Sequence, residues 1–182
     1  MHFRITVSGG KPLLQIDFLL ELFTKAKENG INTCIDTAGG PFTQEGEWFS
    51  KFEKLMQVTD ILLMDIKHIN DEEHFELTGQ KRDNIVQIFR YLDQINKPIW
   101  IRHVLTPGIT DNDEYLTQTR DFIRTLGNVQ RVEVLPYHGL GAMKYKELGI
   151  DYVLKDTLSP TEERVKNAKN ILEVEKYTGW KE

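Results

Sequence analysis

Polar and small residues recur just beyond short apolar runs. Ser8-Gly9-Gly10 follows Phe3–Val7, Asp36-Thr37 follows Thr33-Cys34-Ile35, and Asp65-x-Lys67 follows Ile61–Met64. Arg102 follows Ile99-Trp100-Ile101, and Pro136-Tyr137-His138 follows Val132–Leu135. Carboxylates and a hydroxyl (Asp36, Thr37, Asp65) offer hard oxygen ligands to a hard cation. Arg102 offers a planar fork to a carboxylate or a peptide loop. Gly9 and Gly10 let a backbone come close to a ligand without Cβ interference. In a parallel barrel the loops at the C-terminal strand ends carry the chemistry, so five strands delivering such residues read as an active site.

Each of these residues also has a plainer reading. A glycine pair can be an ordinary turn, and aspartates at strand ends cap loops. Lys67 lies two residues beyond Asp65, on the same face of an extended strand, and can simply pair with it. Arg102 can bridge to Asp65 or Asp36 inside the barrel. Val104 and Leu135 are as well explained by the core, and a lone His138 by a loop hydrogen bond. His68, His74 and His103 match no metal-ligand spacing.

The elements that must position these residues alternate. Leu19, Leu22, Phe23 and Ala26 mark one helix face, which Gly30 is placed to end. A strand over Ile31–Asp36 follows, then a turn at Ala38-Gly39-Gly40-Pro41 and a helix around Trp48–Val58 with Phe49, Phe52 and Met56 inward. Asp60–Lys67 is an apolar run that reads as a strand buried on both faces. Asn70 and Glu73 form a capping pair. Ile85–Ile95 reads as a helix, Pro98–Val104 as a strand, Asp111–Leu126 as a helix and Arg131–Pro136 as the fifth strand. Gly139 to Lys155 reads as irregular. Ser159-Pro160-Thr161-Glu162 announces a last helix through a cap, a proline at its first position and a reciprocal glutamate. The fold class is α/β, about five parallel βα units of an incomplete (β/α) barrel in one domain over 1–182. Eight such units need about 250 residues.

Composition narrows the function. With 23 basic and 28 acidic residues the net charge is −5, which gives no footprint for nucleic acid or an anionic membrane. No run approaches a membrane span, and no long apolar segment follows Met1. One cysteine, Cys34, excludes an intrachain disulfide framework and suits a reducing cytoplasm.

Five motifs in order carry a resemblance: S-G-G-x-P (Ser8 to Pro12), C-I-D-T-x-G (Cys34 to Gly39), M-D-I-K (Met64 to Lys67), W-I-R-x-V-x-x-P-G (Trp100 to Gly108) and L-P-Y-H-x-L-G (Leu135 to Gly141). Together they resemble the pyruvate formate-lyase activating enzymes, the glycyl-radical-activating branch of the radical S-adenosylmethionine superfamily. The resemblance implies a partial TIM barrel and an oxidoreductase. Its 4Fe–4S cluster cleaves S-adenosylmethionine to a radical that takes a hydrogen from a backbone glycine of a partner enzyme, with flavodoxin or ferredoxin as electron donor.

It also implies residue roles. Gly9, Gly10, Asp36, Thr37, Asp65, Lys67, Arg102 and His138 would contact the cofactor, and Val104 and Leu135 would line its adenosine pocket. Asp36, Thr37 and Asp65 would surround a monovalent cation. The family's C-x₃-C-x₂-C loop follows its first strand, and this chain begins where the second would. Cys34, inside a strand, is no substitute, so no catalytic residue is expected within the chain and the chain alone is expected to be inactive. Lys11 stands where the family usually has an acidic residue taken to contact the cofactor's ammonium. Two cations about 4 Å apart repel by roughly 4 kcal/mol at an effective dielectric of 20. The rivals are a non-catalytic truncated binding domain and a metal-assisted barrel hydrolase, the latter disfavoured because no two histidines share equivalent strand ends.

Overall fold

The computed structural model describes residues 4–9 and 11–179. Five strands form one wholly parallel sheet in chain order, β1 (Arg4–Val7), β2 (Asn32–Thr37), β3 (Ile61–Asp65), β4 (Ile99–Leu105) and β5 (Val129–Pro136). Between them run α1 (Ile16–Glu28), α2 (Gly46–Gln57), α3 (Asp71–Thr78), α4 (Asp83–Gln94) and α5 (Asp113–Arg124). Two helices follow the last strand, α6 (Ala142–Glu147) and α7 (Glu162–Ile171). Among the described residues the sheet is open, and β1 and β5 are its edges.

Local chemistry sets the element ends. Gly30, at φ +68°, takes the left-handed conformation that turns the chain out of α1. Asn70 caps α3 by accepting from the Glu72 and Glu73 amides, and Asn112 does the same for α5 from Glu114 and Tyr115.

Strand residues alternate between two faces, as a period of two demands. Val7, Ile35, Leu62 and Ile99 lie in one register row; Thr37, Met64, Ile101 and Val132 lie in the next. These rows meet the helices, and Ile35, Leu62, Met64, Ile99 and Ile101 are fully buried. Phe23, Phe52, Ile88, Phe89 and Leu92 fill the helix side of that layer. Burying one such side chain contributes about 1.5–3 kcal/mol, so this single layer holds the sheet to its helices.

The other face carries Thr6 and Cys34, then Asp36, Leu63, Trp100 and Arg131, then Asp65, Arg102 and Glu133. It is half-open, which corrects the reading of β3 as buried on both sides: Leu63 and Asp65 are only half-buried. Two further expectations need adjusting. The stretch after His138 is not wholly irregular, since a 3₁₀ turn over Gly139–Gly141 leads into α6. The last helix is capped by Thr161, whose hydroxyl accepts from the Arg164 amide, so Pro160 lies outside it. No helix among the described residues is long and apolar enough to cross a membrane.

Candidate functional site

The C-terminal strand ends converge on a cleft of about 400 Å³. Gly9, Asp36, Thr37, Asp65, Lys67 and Arg102 all line it, so six residues picked from separate strands meet in one place. Gly10 lies outside the described residues. Gly9 adopts φ +87°, and a Cβ there would touch nothing, so its role in the chain is conformational rather than steric.

Arg102 is the hub. Its guanidinium pairs with Asp36 Oδ1, and its Nη2 lies 2.8 Å from Asp65 Oδ1. Lys67 Nζ takes the other oxygen, Asp65 Oδ2, at 2.7 Å. Parallel register explains the meeting: Asp65 and Arg102 are direct cross-strand partners, and Asp36 is one strand further along the same face. All three side chains are under a fifth exposed, so the dielectric around them is well below that of water. Burial alone would pull the Arg102 pKa down; the two carboxylates beside it carry it above the ordinary value instead.

The Thr37 side chain belongs to the helix-facing row, and its hydroxyl accepts from the Gly39 amide at 3.0 Å. Asp36 and Asp65 therefore meet a guanidinium, while the third expected cation ligand is turned into its own loop. Val104 and Leu135 are register partners on the open face. Exposed His138 lines a separate cavity of about 440 Å³ with Pro136, Ser159 and Pro160, and is not brought into the cleft. Lys11 is exposed at the cleft's edge.

Sequence reasoning missed part of the wall. His74, Thr78, Gln80 and Ile85 reach the cleft from α3, the following turn and α4. Asn84 donates its side-chain amide to the Gly40 carbonyl and so clamps the loop after β2. Helix residues with no distinctive spacing give no sequence signal for this. Lower on the open face, Arg131 and Arg4 flank the Trp100 ring at 5.0 and 6.0 Å, within cation–π range. Strict alternation through Ile99-Trp100-Ile101-Arg102 could have found Trp100.

His68, His74 and His103 are all buried, and of the three only His74 lines the cleft. His68 Nε2 faces the Ile109 carbonyl at 3.2 Å, and His103 Nδ1 faces the Ile66 carbonyl at 3.0 Å. Burial pushes the pKa of both His74 and His103 below the ordinary 6.5. A histidine depressed in the fold leaves the native state holding fewer protons than the unfolded chain. Its stabilising share is thus complete above pH 6.5 and declines as pH falls. The melting temperature is expected to drop steadily from pH 7 to pH 5.5. The slope grows toward about 1.4 kcal/mol per pH unit for each histidine that stays neutral. Scanning calorimetry checks this, and replacing His74 and His103 by Gln should flatten that limb. Equal melting temperatures at the two pH values would contradict it.

This layout, a parallel open barrel with its polar cluster at the C-terminal strand ends, is shared with known proteins. Residues 3–120 match the Radical SAM superfamily. The pyruvate formate-lyase-activating enzyme of Streptococcus mutans is 50% identical, over 97% of this chain and 67% of that enzyme. The Listeria monocytogenes enzyme of the same name is also 50% identical, over 95% of this chain and 70% of its own length. Among solved structures, a domain of a pyruvate-formate lyase-activating enzyme from Bacteroides vulgatus superposes with a TM-score of 0.75 at 20% identity. That match spans 96% of this chain and 95% of the domain and shows the shared fold. The chain belongs to the radical S-adenosylmethionine superfamily and, within it, to the family of pyruvate formate-lyase-activating enzymes.

Enzymes of this superfamily use S-adenosylmethionine and a 4Fe–4S cluster. The cleft's donor set suits the first: carboxylates, a guanidinium and lysines can face a ligand that carries a carboxylate, an ammonium and a sulfonium. Its volume also falls in the range of small-molecule sites. The cluster does not fit these residues. The only cysteine, Cys34, is 2% exposed within β2, and burial pushes its thiol pKa up, away from the thiolate that ligates iron.

Proposed function

We propose that this chain is the S-adenosylmethionine-binding part of a glycyl-radical-enzyme activase. The observation that carries the reading is the Asp36–Arg102–Asp65–Lys67 cluster at the strand ends, in a chain of this family. In this reading Gly9, Gly10, Asp36, Asp65, Lys67 and Arg102 receive the methionyl end of the cofactor. Val104 and Leu135 take the adenosine, and His138, which lies outside the cleft, is the remaining contact this reading assigns. Asp36, Thr37 and Asp65 surround a monovalent cation. When bound, the cofactor supplies the hydrogen-abstracting chemistry; the residues here bind it, orient it and keep the charged groups fixed around it. The target is a main-chain glycine of a pyruvate formate-lyase-like enzyme, the electron comes from a flavodoxin or ferredoxin, and the compartment is the cytoplasm. The cluster's thiolates are not among these 182 residues, and the chain by itself is inactive.

Calorimetry with S-adenosylmethionine tests this reading. A few half-hydrated polar contacts contribute about 0.5–1.5 kcal/mol each, against several kcal/mol for ordering a flexible ligand. Binding is therefore expected at millimolar strength or weaker. Lys11→Glu should tighten it several-fold by replacing a repelling charge beside the ligand's ammonium. Asp36→Asn binding the ligand as well as the unmodified chain would overturn the assignment.

A further inference from the structure

One wall of the cleft is hung rather than packed. The helix α3 brings His74 and Thr78 to it, and the turn after α3 brings Gln80. Of the eight residues of α3 only His74 is buried, while Phe75 and Leu77 stand exposed. At one end Asn70 caps the helix, and its own amide donates to His68 Nδ1 at 3.1 Å. At the other end Gly79 takes φ +67°, and nothing lies within 4 Å of where its Cβ would be. Between these points α3 is held by one imidazole and one ion pair, Arg82 Nε to Asp71 Oδ1 at 2.5 Å. The Asp71 side chain is 69% exposed, so that pair contributes little. His74 also borders a second cavity of about 10 Å³, space for a single water, lined by Lys67, His68, Arg82, Ile85 and Phe89. Its buried Nδ1 has no partner among the described residues.

We infer that α3 is a hinged wall of the cleft, turning at Asn70 and Gly79, and that the His74 imidazole is the pin that releases it on taking up a proton. The inference rests on the cleft being a ligand site and adds how that site is kept shut. An uncharged ring is buried against Ile85 and Phe89 at small cost, whereas an imidazolium there needs a counter-charge or several waters. Neither is at hand. Facing the ring are Lys67 from the end of β3, Arg82 from just before α4, and His68, whose two nitrogens are already bonded. Asp71, on α3 itself, is taken by Arg82. Across the cleft Asp36 and Asp65 are taken by Arg102 and Lys67, and Lys11 adds positive charge at the edge. Burial, aided by the Arg82 charge, accordingly holds the His74 pKa below 6.5. The shut form therefore binds fewer protons than the open one. Closure is complete above pH 6.5 and weakens as pH falls, the open-to-shut ratio growing toward about tenfold per pH unit. The Thr78 hydroxyl donates to the His74 carbonyl at 2.7 Å and accepts from the Gln80 amide at 3.2 Å, so all three cleft residues move as one piece. A histidine that served stability alone would loosen the whole sheet on protonation and not α3 first.

Amide hydrogen exchange of the 182-residue chain between pH 7.5 and pH 5.5, corrected for the intrinsic pH dependence of exchange, tests this. The amides of Phe75 to Gly79 are expected to lose protection as pH falls, by up to about tenfold per unit below pH 6.5, ahead of those in β3 and β4. His74→Gln, which stays uncharged, should remove that dependence from α3, and His103→Gln should leave it in place. Gly79→Ala strains the hinge residue and should speed α3 exchange roughly fivefold at every pH, with the pH slope unchanged. S-adenosylhomocysteine, added as a probe, should bind several-fold more weakly at pH 5.5 than at pH 7.5, and equally at both to His74→Gln. Exchange of α3 that tracks β3 and β4 at every pH, or that survives His74→Gln or Gly79→Ala unchanged, would overturn the inference. So would S-adenosylhomocysteine affinity that does not vary with pH in the unmodified chain. If that probe binds at neither pH, the cofactor reading fails, while the exchange of α3 still decides the hinge.

Discussion

Arg102→Ala is expected to lower the melting temperature by roughly 5–10 °C and to abolish measurable S-adenosylmethionine binding. The wild-type guanidinium serves Asp36 and Asp65 at once, and both carboxylates are under a fifth exposed. Removing it leaves two like charges side by side, with only Lys67 to answer one of them. Breaking a fully buried pair costs about 3–5 kcal/mol; the open side of the cleft admits water and reduces that to about 2–3. In a domain of this size each kcal/mol moves the transition by about 2–4 °C. Arg102→Lys should recover part of the stability and less of the binding, because an ammonium is a point charge and cannot span two carboxylates in a fixed plane. Calorimetric melting of the three proteins checks this. A change under about 2 °C for Arg102→Ala would mean that water already solvates the carboxylates.

The strand ends were legible because two simple signals coincide there. Apolar alternation shows which residues face the helices, and the first charged residue after each run shows where the strand meets solvent. Asp36, Asp65 and Arg102 follow from those signals, and register then brings them together. Leu63 was not legible: an apolar residue on the open face looks like one more core residue, so β3 reads as buried on both sides. Ser159 and Thr161 are equally good cap formers, and only the bond to the Arg164 amide separates them. His138 follows its strand as the aspartates follow theirs. The chain then turns into the 3₁₀ segment at Gly139 and leaves it exposed beside α7's first turn. The part of the cleft wall formed by Thr78 and Gln80 was least legible, because these residues arrive through a turn after α3 and not at a strand end. Gly79, at φ +67°, makes that turn, but a lone glycine in a sequence does not say what the next residue will touch.

Gly39→Ala carries the other large expected effect, a loss of about 2–4 kcal/mol, read as a fall of roughly 5–15 °C in melting temperature. Two costs fall on one residue. Gly39 sits at φ +78°, where a side chain is strained by about 1 kcal/mol. Its Cβ would also lie 2.7 Å from Ile88 Cγ2 and 3.4 Å from Met64 Cε, atoms of fully buried side chains with nowhere to retreat. Overpacking of that kind costs about 1–3 kcal/mol. Gly149 separates the two terms: it has φ +65° and open space around its Cβ, so Gly149→Ala should cost only the backbone share of about 1 kcal/mol. The loop that Gly39 anchors carries Gly40 and Pro41, so its displacement also moves one wall of the cleft. Denaturant melts of Gly39→Ala, Ile88→Ala and the double variant give the coupling directly. The double variant should be more stable than the sum of the single losses predicts, because truncating Ile88 opens the space that the new methyl needs. Strict additivity would place the whole cost in the backbone and remove the packing account of why this position is glycine.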